Sequence, residues 1–180
     1  MRVRYAVGGP FLPPPLCDLF VKEVERDDRW RPSEVSYGSR PLVDTTFRSS
    51  QWSGVPYSCD ALVAGRMLAV TRSLVCHFGR IRGVEGPNVL RYRAGDFFRT
   101  HQDENPANRR AEGRRVTVVA FLNDSEFLGG TLRLDDLGKS SFPLLVSPRK
   151  GRFVAFPANV RHDVSPVEGG ARYTLVWWCY

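Results

Sequence analysis

Two histidines and one aspartate carry the sharpest chemical signal in this sequence. His101-Gln102-Asp103 sets an imidazole and a carboxylate two residues apart, on the same side of an extended segment. His162 comes much later, just past a predicted strand. Two imidazoles and one carboxylate on one metal face form the facial triad of non-haem Fe(II) oxygenases, which leaves three positions open for a co-substrate and dioxygen. A His-X-Asp pair alone is a weak signal, and its neighbours strengthen it. Arg172 follows His162 by ten residues in Gly169-Gly170-Ala171-Arg172-Tyr173-Thr174. If both flank one cavity, a guanidinium points into it beside the metal. A buried arginine is costly unless it meets an anion, and its fork suits a carboxylate. Thr174 shares the face of Arg172 by strand alternation and offers a hydroxyl to the same anion. A metal plus a carboxylate clamp suits a dicarboxylic keto acid. The third histidine, His77, reads as a cap at a helix end.

These residues need a scaffold, and the pattern changes between the halves of the chain. Leu16, Leu19, Phe20 and Val24 recur at helical spacing after Pro13 to Pro15. Residues 26–57 are turn-rich and read as short strands with a long surface loop. Ser58 is placed to cap a second helix with Val63, Met67, Val70, Leu74 and Phe78 on one face and Gly79 as its stop. From Asn88 onward the period is that of strands: 89–92, a buried β-branched run at 116–122, then 131–134, 142–146, 153–156 and 173–178. Turn residues separate them, the signature of an antiparallel barrel or sandwich, the jelly roll included. The helices are expected to buttress one face of the sheet.

The 180 residues, 42% hydrophobic and 25% charged, are enough to bury a core without disulfide staples, so one domain over 1–180 is expected. No uninterrupted apolar run approaches bilayer length, so no membrane segment is expected. The charged start at Met1 to Arg4 resembles a signal peptide, but Gly8, Gly9, Pro10 and Pro13 to Pro15 break the apolar stretch one would need. A cytoplasmic protein follows as the expectation. The net charge of +7 comes almost wholly from arginines spread in singles and pairs, which argues against a nucleic-acid surface. Cys17, Cys59, Cys76 and Cys179 show no paired spacing and read as free, buried thiols.

In several ordered blocks the sequence resembles the 2-oxoglutarate- and Fe(II)-dependent dioxygenases, in their prolyl 4-hydroxylase-like branch. The blocks are Leu90 through Asp103, Val116 through Asn123, Gly129 to Leu132, Pro148 to Gly151, Phe156-Pro157, His162 to Val164 and the Arg172 strand. Phe47-Arg48-Ser49-Ser50 also looks like the family's substrate-side loop. The resemblance implies a mainly β, double-stranded β-helix (jelly-roll, cupin-like) core over 88–180, with helical support and a substrate-side loop over 1–87. It implies Fe(II) held by His101, Asp103 and His162, and 2-oxoglutarate held by Arg172, with Tyr92 matching the family's co-substrate tyrosine. Dioxygen is the second co-substrate, and ascorbate is a candidate stimulant. Phe121 lies near the place where animal oxygen-sensing relatives carry a tyrosine, so Tyr92, Thr174 or water must supply the missing hydroxyl contact or 2-oxoglutarate binds less tightly. The carboxylate of Asp103 favours hydroxylation, since halogenating relatives lack it.

The implied reaction is hydroxylation of an unactivated C–H bond with release of succinate and CO2. The substrate is expected among prolyl peptides, free amino acids and natural-product intermediates. Arg109, Arg110, Arg114 and Arg115 sit in a polar loop after the metal motif and are expected to form a mobile lid over the substrate rather than part of the iron site. Arg48 and Trp178 complete the substrate-side candidates, Trp178 as a core or cavity-wall aromatic. Two alternatives remain: a nucleic-acid demethylase on the same scaffold, whose members usually carry a second arginine where this chain has Trp178, and a non-enzymatic metal- or sugar-binding jelly roll.

Overall fold

All six residues of Val116–Phe121 are buried, which demands cover on both faces of the sheet that contains them. The computed structural model, which describes residues 6–37, 40–106, 111–135 and 142–180, shows what provides it. In chain order the strands are β1 (Ala6–Pro10), β2 (Arg31–Pro32), β3 (Val35–Tyr37), β4 (Arg40–Leu42), β5 (Gln51–Ser53), β6 (Val84–Arg93) and β7 (Phe98–His101). They continue with β8 (Val116–Phe121), β9 (Phe127–Gly129), β10 (Leu132–Leu134), β11 (Leu144–Val146), β12 (Arg152–Pro157), β13 (His162–Val164) and β14 (Val167–Cys179). Helices α1 (Pro14–Glu25) and α2 (Asp60–Phe78) precede β6. The major sheet runs β1-β12-β8-β14-β6-β5-β2, with β9 paired to β14. The minor sheet runs β11-β10-β13-β7, and β3-β4 form a separate hairpin.

Strand alternation sorts the major sheet into two faces. Val116, Val118 and Ala120 of β8, with Tyr173, Leu175, Trp177 and Cys179 of β14, pack against Cys17, Phe20 and Val24 of α1 and Val63, Met67, Val70 and Leu74 of α2. The intervening residues, Val119, Phe121 and Val176, join Leu90, Tyr92, Val154 and Phe156 against Leu132, Leu134 and Val164 of the minor sheet. One face therefore carries the helices and the other closes a two-sheet jelly roll.

Several local expectations are corrected. Ser58 does not cap α2: a 3₁₀ turn at Tyr57–Cys59 precedes the helix, Cys59 stands at the N-cap, and the Ser58 hydroxyl faces the Cys59 Sγ at 3.8 Å. Gly79 does end α2, with a φ of 77°. The 142–146 strand begins at Leu144, and Phe142 is exposed. Cys76 is exposed rather than buried, although all four cysteines are free thiols. Tyr57–Phe78 reaches the length and mean hydropathy, 1.2, of a membrane-crossing helix, against the expectation of no membrane segment, because scattered leucines and valines raise its average without one long apolar run. Its Val63, Met67, Val70 and Leu74 row is nonetheless buried against the sheet. Strand β1 was not foreseen in its Gly-Pro-rich sequence. It pairs with β12, and a Cβ on Gly8 would fall 1.7 Å from the Phe153 ring, so only glycine fits that approach.

Candidate metal and co-substrate site

His101 ends β7, and His162, past the end of β12 as expected, opens β13; the antiparallel register makes the two residues direct cross-strand partners. Their ring centroids lie 4.1 Å apart. Asp103 follows β7 in a bend held by its backbone N–H donating to the Ala158 carbonyl at 2.9 Å. Its carboxylate comes 3.4 Å from His162 Nε2 and 3.8 Å from His101 Nε2. One donor atom from each of the three residues lies within 4.8 Å of the other two.

The supporting contacts orient this cluster. Nδ1 of His101 meets the Arg99 carbonyl at 2.8 Å, and Nδ1 of His162 meets the Val160 carbonyl at 2.9 Å. A carbonyl only accepts, so each Nδ1 carries the proton and each Nε2 presents a lone pair to the cluster. The Thr117 hydroxyl donates to Asp103 Oδ2 at 2.6 Å. Phe98 stacks on the His101 ring at 3.5 Å, and Phe156 meets His162 edge-on at 4.8 Å. Behind His162, Asp163 is gripped by both arms of Arg133, at 2.6 and 3.0 Å.

Metal binding requires a carboxylate and neutral imidazoles, and electrostatics favour that state at Asp103 and His101 but work against it at His162. Burial, with His162 alongside, pushes the His101 imidazole down to about 3. Burial opposes ionisation of Asp103, yet His162, His101 and the Thr117 hydroxyl outweigh it and hold its carboxyl below the ordinary carboxylate range. Burial likewise opposes charge on His162, but the Asp103 carboxylate overrides it and shifts the imidazole up.

The cluster opens on a cavity of about 880 Å³ between the sheets. Arg172, Thr174 and Tyr92 all line it, each at most 2% exposed. Burial pushes the Arg172 guanidinium down to about 10, slightly opposed by Tyr92. Among the described residues Arg172 Nε and Thr174 Oγ1 have no hydrogen-bond partner. The guanidinium has aromatic rings instead, Tyr92 at 5.2 Å and Phe121 at 5.5 Å. Phe121 lies opposite Thr174 in the β8–β14 register and offers no polar atom. Gly130, at φ 60°, gives Arg172 its room: a Cβ there would sit 2.9 Å from Arg172 Cδ. A fully buried cation with no matching anion is a strong demand for one.

Arg48 and Trp178 also line the cavity. The lid expectation is corrected for two of its four arginines. Arg114 is clamped to Glu85 by two bonds, 2.8 and 2.5 Å, and lies 3.9 Å over the Trp178 ring, so it belongs to a fixed wall. Arg115 turns away to the Phe78 and Arg80 carbonyls. Arg109 and Arg110 lie outside the described residues. Thr117 and Phe98 were missed. Thr117 had a readable signal, a lone hydroxyl inside an otherwise apolar buried run, which must find a partner.

A jelly roll with two lone-pair imidazoles, one carboxylate and an unmatched buried guanidinium on one cavity wall has the donor set of a mononuclear non-haem iron oxygenase that takes an anionic co-substrate. The profile of the 2OG-Fe(II) oxygenase superfamily matches residues 87–180, just over half of the chain, and the chain belongs to that superfamily. A PKHD-type hydroxylase of Synechococcus sp. is 35% identical over 107 residues, 58% of this chain. The chain spans about half the length of the curated relatives it matches, 46% in that case. A prolyl-4-hydroxylase structure from Pseudomonas putida is 26% identical with a TM-score of 0.70, covering 97% of this chain and 91% of that one. A Trichoplax adhaerens prolyl hydroxylase, in complex with a hypoxia-inducible-factor peptide fragment, has the same fold: TM-score 0.78, 20% identity, and coverage of 98% of this chain and 83% of that one. Fe(II) and 2-oxoglutarate are the family's cofactor and co-substrate.

Proposed function

We propose that this protein is a 2-oxoglutarate- and Fe(II)-dependent hydroxylase acting on a prolyl or amino-acid-type substrate. The observation that carries the reading is the pairing of the His101–Asp103–His162 cluster, in one cavity, with a buried Arg172 that has no carboxylate partner among the described residues. His101 Nε2, His162 Nε2 and the Asp103 carboxylate would hold the iron. Arg172 would take the distal carboxylate of 2-oxoglutarate, with Thr174 and Tyr92 as the available hydroxyls. When bound, the iron and co-substrate supply the oxidation of a C–H bond by dioxygen, with succinate and CO2 released.

The protein's own residues do the rest. The two Nδ1–H···carbonyl bonds keep the imidazole lone pairs aimed at the metal position, and Thr117 fixes the rotation of the carboxylate. Leu90, Val119, Leu132 and Val176 give the cavity an apolar stretch of wall on which a bound substrate would displace water. The prolyl hydroxylase and PKHD-type neighbours support this reading over a nucleic-acid demethylase or a non-catalytic jelly roll.

Anaerobic titration with Fe(II) and 2-oxoglutarate tests it directly. A weak visible charge-transfer band is expected when both are present, followed by succinate release on admitting oxygen. Neither signal from metal-loaded protein would sink the reading.

A further inference from the structure

Three arginines are among the described residues lining the cavity, and two of them are accounted for. Arg114 is neutralised by Glu85, and Arg172 faces the co-substrate position. Arg48 is different. Residues 47–49 run beside β7: Arg99 N–H donates to the Phe47 carbonyl at 2.9 Å, and Arg48 bridges directly to Phe98. That register lays the Arg48 guanidinium 4.4 Å from the Phe98 ring centroid, and Phe98 itself stacks on His101 at 3.5 Å. The result is a column, cation on ring on imidazole, leading from the metal cluster along the cavity wall.

The column is built from below. Arg48 Nε donates to Ser50 Oγ at 2.8 Å, and the buried Ser50 and Ser33 hydroxyls are 3.0 Å apart. Arg48 Nη1 reaches the Glu34 carbonyl at 3.3 Å. These contacts hold the stem and one arm, while no carboxylate among the described residues pairs with the charge. A guanidinium so held, with no partner for Nη2 among the described residues and a second hydrogen left on Nη1, can still offer two N–H groups to an anion.

We infer that Arg48 is the substrate anchor and that the substrate carries a carboxylate close to the carbon presented to the iron. The inference rests on the oxygenase reading above. A carboxylate on Arg48 would seat the substrate across the Phe98–His101 column, which places the neighbouring carbon toward the metal cluster. The carboxylate could be the α-carboxylate of a free amino acid, the C-terminus of a peptide, or an acidic side chain flanking the target residue.

Matched acid and amide pairs separate these sources: L-proline against L-prolinamide, a peptide ending in proline as acid or amide, and a proline-containing peptide with Glu or Gln beside the proline. Substrate-stimulated succinate release is measured for each pair with the wild-type protein, Arg48→Gln and Arg48→Lys. At least one acid is expected to show a KM about tenfold or more below its amide, the effect of one charge-assisted contact. Arg48→Gln should bring that acid-to-amide ratio close to one, and Arg48→Lys should keep part of it. A merely structural role for Arg48 would move acid and amide together and leave the ratio intact. The inference is overturned by equal KM values in the wild-type protein, by a ratio that survives Arg48→Gln, or by stimulation by none of the acids. The charge-transfer band with Fe(II) and 2-oxoglutarate, and any succinate release by the wild-type protein with or without substrate, report on the oxygenase reading separately: absence of both removes both proposals, while either one with no acid preference removes only this one.

Discussion

The two faces of the β8–β14 pair are made by the same strands, yet they obey opposite rules. On the helix side Val118, Ala120, Leu175 and Trp177 fill a close-packed apolar core with α1 and α2. On the cavity side Thr117, Arg172 and Thr174 put polar groups into an equally buried setting. Among the described residues the one hydrogen-bond partner of these three side chains is Asp103, for Thr117. The four side chains named on the first face are apolar apart from the Trp177 indole N–H, which has no hydrogen-bond partner among the described residues. The second face gathers a buried cation and a hydroxyl in that condition around a cavity, a demand that a bound anion would meet, and that is how a functional wall differs from a structural one.

Removing a metal-side imidazole should have the largest effect. His101→Ala and His162→Ala are expected to abolish succinate release and to weaken Fe(II) binding beyond the roughly 100-fold that a supporting group commands. Far-UV circular dichroism should stay near that of the parent protein, because the ligands sit at a cavity rather than in the helix-side core. Collapse of the fold on removing metal would instead make the site structural.

Next comes a contrast between faces on a single strand. Arg172→Met should raise the 2-oxoglutarate requirement by roughly one to three orders of magnitude, about 1.5–4 kcal/mol for a charge-assisted contact. Without co-substrate the same change should leave melting unchanged or raised, because an unmatched buried charge is replaced by an apolar chain. Leu175→Ala, three positions on and facing the helices, should destabilise by about 2–5 kcal/mol and leave the 2-oxoglutarate requirement alone. Equal melting losses from both would erase the distinction between the faces.

Thr117→Val tests the cavity face at lower amplitude. Volume is kept and one hydroxyl is lost, so Fe(II) affinity should fall about tenfold through a loosened Asp103, with little change in melting temperature. Metal titration followed by calorimetry decides it; an unchanged affinity would mean the carboxylate needs no guide.

The smallest effect belongs to the helix face and to alkaline pH. Burial pushes the Cys17 and Cys179 thiols from 9.0 up to about 11, and burial with Glu25 pushes Tyr173 from 10.0 up to about 12. These groups hold their protons more tightly when folded, so their contribution to stability is complete below about pH 9. It is lost as pH rises toward 11, because the unfolded chain releases protons that the native state retains. Melting temperature should therefore fall between pH 9 and 11, and Cys17→Ala/Cys179→Ala should flatten that slope.

Much of this was legible from residue order alone. The 3.6-residue row from Val63 to Leu74 and the β-branched run at 116–121 each specify an element through local periodicity, and Gly79 marks a helix stop through its own backbone freedom. His101-Gln102-Asp103 and the Arg172–Thr174 alternation were readable for the same reason, since neighbours in a strand fix each other's facing. Strands β7, β9 and β13 were not, because three or four residues carry too little pattern to compete with a turn, and their existence depends on distant partners. The arginines show the division most plainly. Sequence placed Arg114 and Arg115 together in one lid, but only tertiary structure could send one to Glu85 and Trp178 and the other to the end of α2. Sequence likewise supplied His101 and His162 as candidates, whereas facing them across β7 and β13 required the long-range pairing of the minor sheet. Residue type sets which chemistry is available; the register of strands far apart in the chain decides which groups meet.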